Sequence, residues 1–286
     1  MKIGVLTSGS LGKDALNKIL LKFEVVFVFT DSNSLEILTL CRKNKIPCFK
    51  GNPRKGKGYN FIKNIKVDII ISVNYLFLID NDIIRHSKQL TFNVHGSLLP
   101  KYRGRTPHVW AIINNEKEAG ITAHVIDEGC DTGDIILQNK IIIERSDTGN
   151  DLLNKYKLEY FNIIEEVIKK VKSNKLHLTK QDENLATYFG VRKPEDGRIN
   201  WDWQKERIVN WVRALAKPYP GAFSYVNDKI LIIDKVEIVS MGYRFDTENG
   251  TILDLSPNLV VKTPNGALEI KKFREFVSVK IGDKLI

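Results

Sequence analysis

The sequence predicts an α/β chain: a doubly wound, mostly parallel sheet domain followed by a small antiparallel β-barrel. Three observations predict it. In the first half, apolar runs of strand length alternate with amphipathic stretches of helix length, the pattern of parallel crossovers. One of those runs, "VDIIISV", is almost continuously β-branched, as a strand buried on both faces requires. From residue 222 onward, short alternating strands are separated by "NDK", "ENG", "SPN", "PNG" and "GDK", the punctuation of an antiparallel barrel.

In order along the chain, residues 3–6 read as a strand, 13–21 as a helix and 24–29 as a second strand. A helix over 34–44 follows, with Ser32, Asn33 or Ser34 available as its cap. "IPCF" is a short strand, "VDIIISV" the central one, and "LTFNVH" the next, delivering Asn93 and His95 at its carboxyl end. In doubly wound sheets that end, at a switch in strand order, is where ligands sit. Pro107–Ile113 reads as a helix with Thr106 as cap and Pro107 at its first position. "GITAHVID" and "DIILQNKIII" are further strands around "DEGCDTGD", a turn dense in carboxylates and glycine. Residues 147–171 form a long amphipathic helix that closes the domain. Residues 173–198 are polar and read as a surface linker, and "ERIVNWVRALA" is a short helix stopped by "KPYPG".

Composition narrows the classes. With 286 residues, 43% hydrophobic and 27% charged, the chain can bury ordinary cores. No apolar run approaches the roughly 18 residues of a membrane span, and the N-terminus enters a strand without a signal-peptide core. Cys41, Cys48 and Cys130 form neither a paired framework nor zinc-ligand spacing, so a reducing cytoplasm is expected. The net charge of +10 is compatible with nucleic acid, and equally with nucleotides or small polyanions. Part of it sits in "FKGNPRKGKGYN", where Lys50, Arg54, Lys55 and Lys57 have no acid nearby; this vocabulary is that of a solvated loop.

Three short motifs compete for the chemistry. "TSGSLG" follows the first strand like a phosphate turn but lacks the full G-x-G-x-x-G spacing; the alternative is a tight turn letting a helix pack close to the sheet. Ser97 beside His95 suggests a hydrolase, but Leu98, Leu99 and Pro100 replace the second glycine of a nucleophile elbow, and Ser97 is better suited to capping its own loop. The third motif unites Asn93 and His95, two apart on one strand face, with Asp131. There the amide donates to a developing oxyanion, the imidazole handles a proton, and the carboxylate orients it. On spacing alone, a lone strand histidine is more often structural than catalytic.

The stretch "FNVHGSLLPKYRGRTPHVWAIINNEKEAGITAHVIDEGCDTGDII" resembles the signature region of the 10-formyltetrahydrofolate-dependent formyltransferases. Their pattern of Asn-x-His, Ser-Leu-Leu-Pro and a downstream Asp-x-Gly turn is met by Asn93, His95, residues 97–100 and Asp131. "ISVNYLFLI" resembles the segment lining the folate pocket, while "YFGVRKPEDGRINWDW" and "WVRALAKPYPGAFSYV" resemble the start of the C-terminal barrel. The resemblance implies a Rossmann-like catalytic domain over 1–180, a linker over 181–203 and an OB-like domain over 204–286. It implies formyl transfer to a primary amine, with 10-formyltetrahydrofolate as cosubstrate, no metal, and Asn93, His95 and Asp131 as the catalytic trio. Expected folate contacts are Val73, Asn74, Tyr75, Leu76, Ile126, Asp127 and Gly129. Cys130, beside Asp131, reads as a small turn residue in preference to a nucleophile.

For the amine, the resemblance favours a nucleotide-linked amino sugar, as in surface polysaccharide or lipopolysaccharide precursor synthesis, over methionyl-tRNA. The tRNA enzymes carry a long basic insertion after the second strand, where this chain has only "TDSNS", and "TSGSLG" departs from their "GTP" tripeptide. Expected substrate contacts are Ser8, Gly9, Ser10, Ser97, Lys101, Arg103 and Arg105, the two arginines serving the pyrophosphate. The basic charge and the retained barrel argue for tRNA; a folate-binding protein without turnover is a third class. No membrane partner is expected, and an exposed barrel strand could pair two copies of the chain.

Overall fold

In a computed structural model describing residues 1–275 and 277–286, the chain forms two compact units. The first comprises Met1–Arg105, Ala119–Ile141 and Lys155–Phe189, and the second Thr106–Glu118, Ile142–Asn154 and Gly190–Ile286.

The first unit is the expected α/β sheet. Its chain runs β1 (Lys2–Thr7), α1 (Gly9–Leu20), β2 (Glu24–Thr30), α2 (Leu35–Lys43), β3 (Cys48–Lys50), α3 (Lys57–Ile62), β4 (Ile69–Val73), α4 (Asn81–Ile84) and β5 (Leu90–His95). Every residue of β4 is buried because the strand lies between β1 and β5, which is what its β-branched run requires. Strands β1 to β5 pair in parallel in the order β3-β2-β1-β4-β5, so strand order reverses between β1 and β4. Leu6, Phe27, Phe29, Ile62, Val67, Ile70 and Ile83 form a core on one face. Gly4 belongs to that packing, since a Cβ there would meet the Phe27 ring at 2.2 Å. The "TSGSLG" turn serves close helix packing: a Cβ on Gly12 would lie 2.1 Å from Thr7 Oγ1.

Beyond β5 come β6 (Arg103–Gly104), α5 (Pro107–Ile113), β7 (Glu118–Val125), β8 (Ile135–Ile142), α6 (Gly149–Lys172) and β9 (Tyr188–Phe189). Strand β7 runs antiparallel to β5, with Asn93 opposite His124 and His95 opposite Thr122. This agrees with the mostly parallel sheet expected from the sequence. Helix α5 clusters with the second unit, so no crossover helix of the first unit joins β5 to β7. Thr106 sits at the α5 N-cap in a left-handed conformation (φ 47°) and makes no side-chain cap, contrary to expectation. A reciprocal cap precedes α6 instead: Asp151 Oδ2 accepts from the Thr148 N–H at 2.9 Å, and Thr148 Oγ1 from the Asp151 N–H at 3.2 Å. The stretch read as a linker carries two 3-10 turns, Glu183–Leu185 and Pro194–Gly197, and β9 pairs in parallel with β6.

The second unit holds α7 (Lys205–Leu215) and an antiparallel sheet of β10 (Ala222–Val226), β11 (Lys229–Val239), β12 (Ile252–Asp254), β13 (Leu259–Thr263) and β14 (Gly266–Phe273), ordered β10-β11-β14-β13-β12. Residues 283–286 bond to both edges: Ile286 exchanges backbone hydrogen bonds with Tyr225 of β10, while Asp283 and Leu285 bond to Ile252 and Gly250. Among the described residues no helix is long and apolar enough to cross a membrane.

Candidate active site

Asn93 and His95 alternate with Phe92 and Val94 along β5, so both project from one face of the strand. Asp131 reaches them from the turn after β7. Asp127 Oδ1 builds that turn by accepting from Gly129 N at 3.1 Å and Thr132 Oγ1 at 2.7 Å. Gly129 is required there, because a Cβ would meet Thr132 Oγ1 at 1.9 Å. Asp131 itself is left-handed, with φ 58°. Its Oδ2 lies 3.5 Å from His95 Nδ1 and accepts from Gly104 N at 3.0 Å. Its Oδ1 lies 3.5 Å from His124 Nε2 and 3.4 Å from Asn93 Nδ2. Asn93 Nδ2 also donates to His124 Nε2 at 3.1 Å.

Backbone carbonyls assign the imidazole protons, since a carbonyl only accepts. His95 Nε2 is 2.8 Å from the Tyr102 carbonyl and therefore carries hydrogen, leaving Nδ1 to take a further proton opposite Asp131. His124 Nδ1 is 2.9 Å from the Val125 carbonyl, so its Nε2 is the acceptor for Asn93. Burial lowers His95 below the ordinary imidazole range, while Asp131 and the Tyr102 carbonyl oppose that shift. Burial pushes the Asp131 carboxyl up, but His95, His124 and the Gly104 N–H outweigh it and hold it below the usual carboxylate range. The pair at rest is a neutral imidazole beside a carboxylate. This suits an acyl-transfer base: a proton arriving at Nδ1 meets a fixed negative charge in a desolvated site.

At the switch between β1 and β4, Thr7 Oγ1 donates to the Val73 carbonyl at 3.0 Å and Asn74 Nδ2 to the Ser8 carbonyl at 2.8 Å. Ser8 is buried, Ser10 is exposed, and Gly9 N is already satisfied by Ser34 Oγ at 2.8 Å. Tyr75 is half-buried with its phenol pushed up by burial, whereas Leu76 and Leu78 remain 43% and 58% exposed. The Ile126 N–H is tied to the Thr91 carbonyl at 3.1 Å. Ser97 Oγ donates to the Lys101 carbonyl at 2.7 Å and so shapes its own loop. Lys101 and Arg105 are exposed, and Arg105 Nη2 donates to the Leu76 carbonyl at 2.9 Å. Arg103 is corrected from a phosphate ligand: its side chain is 0% exposed and its donors go to Gln181, Glu183 and Tyr188. The Cys130 thiol, pushed up by partial burial and by Asp131, is not a ready thiolate.

Sequence reasoning missed His124, the Tyr102 carbonyl, the Gly104 N–H and Gln181. His124 was visible in "ITAHVID" as a second strand histidine. Its pairing with Asn93 depends on the antiparallel register of β7, which alternation does not encode.

Two family models match the chain: "Formyl transferase" over residues 1–168 and "Formyl transferase, C-terminal domain" over residues 192–276. Among curated proteins, the chain is 36% identical over 269 residues to the bifunctional polymyxin resistance protein ArnA of Wigglesworthia glossinidia brevipalpis, covering 92% of this chain and 40% of that protein's length. It is 37% identical over 222 residues to the methionyl-tRNA formyltransferase of Caldanaerobacter subterraneus subsp. tengcongensis, covering 77% of this chain and 71% of that one. Among solved structures, WlaRD, a sugar 3N-formyltransferase studied with dTDP and 5-N-formyl-THF, matches at TM-score 0.72 and 24% identity over 97% of this chain and 99% of that chain. An N-formyltransferase from Helicobacter canadensis, in complex with folinic acid and dTDP-3-aminofucose, matches at TM-score 0.71 and 23% identity over 96% and 100%.

Proposed function

The chain belongs to the formyl transferase family, and from that premise we propose that it transfers a formyl group from 10-formyltetrahydrofolate to the primary amine of a nucleotide-linked amino sugar. The observation that carries the reading is the buried cluster of Asn93, His95, His124 and Asp131, with one His95 nitrogen committed to the Tyr102 carbonyl and the other facing a carboxylate. Exposed Leu76 and Leu78, next to the switch between β1 and β4, supply an apolar surface that suits a pterin ring.

In the reaction the amine nitrogen bonds to the formyl carbon, and the bond from that carbon to N10 of the folate breaks. His95 Nδ1 takes the amine proton and returns it to the leaving nitrogen. Asp131, through Oδ2, stabilises the imidazolium while the proton is held. Asn93 spends both N–H groups at rest; the one reaching Asp131 at 3.4 Å is the weaker bond and the one free to turn to the oxyanion. A donor so placed contributes about 2.7–4 kcal/mol. Exposed Ser10, Lys101 and Arg105 are the remaining candidates for the diphosphate.

For the amine, only Asp31–Ser34 separate β2 from α2, and Asp31 is tied to Asn33 N at 2.7 Å and to Ser34 Oγ. No basic arm grows from that connection, which supports a small nucleotide over tRNA. The chemistry belongs to the first domain, with 204–286 as an OB-like accessory domain. The three free cysteines fit work in a reducing cytoplasm.

The test is a panel of UDP-, dTDP- and GDP-amino sugars, alongside charged initiator tRNA, assayed with 10-formyltetrahydrofolate. An amino-sugar nucleotide is expected to be formylated, with kcat/KM falling about 10²–10⁴-fold in His95→Ala and about 10²–10³-fold in Asn93→Ala. Undiminished turnover by His95→Ala sinks the mechanism. Formylation of tRNA alone sinks the amine, and folate binding without any product leaves a binding protein.

A further inference from the structure

Asp131 needs more than its own turn to stay where it is. A left-handed non-glycine residue costs roughly 1–2 kcal/mol and persists only when its surroundings hold it. The hold comes from Gln181, in the stretch between α6 and β9. Gln181 Nε2 donates to the Asp131 carbonyl at 2.8 Å and to the Gly133 carbonyl at 2.7 Å, so both amide hydrogens clamp the turn. Gln181 Oε1 in turn accepts from Arg103 Nε at 3.2 Å and Nη2 at 2.8 Å. That contact fixes which way round the amide lies, because only its oxygen can face a guanidinium. Arg103 is pinned as well: Nη1 and Nη2 bond Glu183 at 2.8 and 2.7 Å, and Nη1 also bonds the Tyr188 hydroxyl, so all five N–H groups are used. On the side facing β5, Gly104, the residue after Arg103, sends its N–H to Asp131 Oδ2.

We propose that Gln181 is a positioning residue for Asp131, and through it for His95, with Arg103 as the buried post that aims its amide. This rests on the reading above, in which Asp131 supports the His95 imidazolium. Without the two amide donors the turn loses its hold, and the carboxylate drifts from His95 Nδ1. The ionisable groups around the pair are His124 on β7, Tyr160 on α6, and Cys130 with Arg105 and Arg103 beside the turn. None of these replaces a carboxylate opposite Nδ1. His95 should then bind its proton more weakly.

The experiment uses the full chain and follows the five histidines by NMR titration, the His95 signal being assigned by its loss in His95→Ala. Gln181→Met keeps the side-chain volume and removes both donors. It is expected to lower the His95 titration by about half a pH unit or more, a threefold change in proton affinity. The acid limb of kcat against pH is expected to move the same way, with kcat down on the order of tenfold to hundredfold and both KM values within about twofold. A purely structural role would cost thermal stability and leave the titration in place. If methionine is not tolerated, Gln181→Asn, whose amide is one methylene short, must move the titration in the same direction. A His95 titration that coincides with wild type in the variant overturns the proposal whatever the turnover. If the shift is present and no amine is formylated by the wild type, the functional reading fails and the positioning role stands.

Discussion

Two of the five histidines, His95 and His108, sit below the ordinary imidazole range for the same reason, burial, but only His95 has a carboxylate 3.5 Å from its ring. His108 instead shares a 2.7 Å hydrogen bond with the Tyr219 hydroxyl, and burial pulls it to about 4. A residue so placed is a liability in acid. The folded pKa lies below the unfolded value of 6.5, so the unfolded chain takes the proton first as pH falls. The stabilising contribution is complete above pH 6.5 and is lost progressively towards pH 4. Between pH 7.5 and pH 5 the loss is about 2 kcal/mol. His108→Gln keeps a hydrogen-bonding partner for Tyr219 and does not titrate. Urea unfolding at the two pH values should show a drop in stability smaller by about that amount in the variant. A drop equal to the wild-type one would assign the acid lability elsewhere, with His95, which shifts in the same direction, the next candidate.

At the scale of elements, what holds the second unit's sheet to its incoming connection is an ion pair between the buried Asp234 and the half-buried Arg274. Arg274, just past β14, binds Asp234 of β11 at 2.9 Å and donates to the carbonyls of Tyr219 and Pro220 at 2.8 Å each. One guanidinium thus joins two strands and the segment before β10. Removing one partner of a buried pair leaves an uncompensated charge, which costs about 3–5 kcal/mol. Arg274→Met should destabilise by that much in thermal or denaturant unfolding. Asp234→Leu combined with Arg274→Met should recover part of the loss, because no charge is left behind. A single variant within about 1 kcal/mol of wild type would show the pair to be dispensable. Neither partner was singled out in the sequence, since 40 residues separate them and ion pairs leave no periodicity. Elements with strong patterns were legible: β4 from its β-branched run, α5 to the residue, and the antiparallel sheet from its turns. The cap of α5 was not, because Thr106 was judged by residue type and its backbone went left-handed.

For the whole molecule, the fold class was readable because hydrophobic period and turn chemistry act locally, whereas the site is assembled from β5, the turn after β7 and Gln181, and so depends on register. Charge is the property that sequence most easily over-reads at this scale. Seven cations, Arg42, Lys43, Lys45, Lys50, Arg54, Lys55 and Lys57, lie between positions 42 and 57 with no acid among them, and all are exposed. Arg54 reaches Asp80 at 3.7 Å, an exposed contact worth little. Such a patch attracts any polyanion by releasing counterions, without reading its sequence. The chain is therefore expected to bind tRNA at low salt whether or not tRNA is its substrate. With about six phosphate contacts, affinity should fall about 10³-fold between 50 and 200 mM salt. Changing Lys43, Lys45, Lys55 and Lys57 to Gln should make the slope of log K against log salt shallower by about 3. The same variant should keep kcat/KM for the amino-sugar nucleotide within about twofold, because none of the four residues belongs to the cluster around His95. If tRNA were the substrate, its formylation would follow its binding, falling steeply with salt in the wild type and collapsing in the variant. Binding that collapses while formylation of the small substrate persists separates an electrostatic surface from a recognition site.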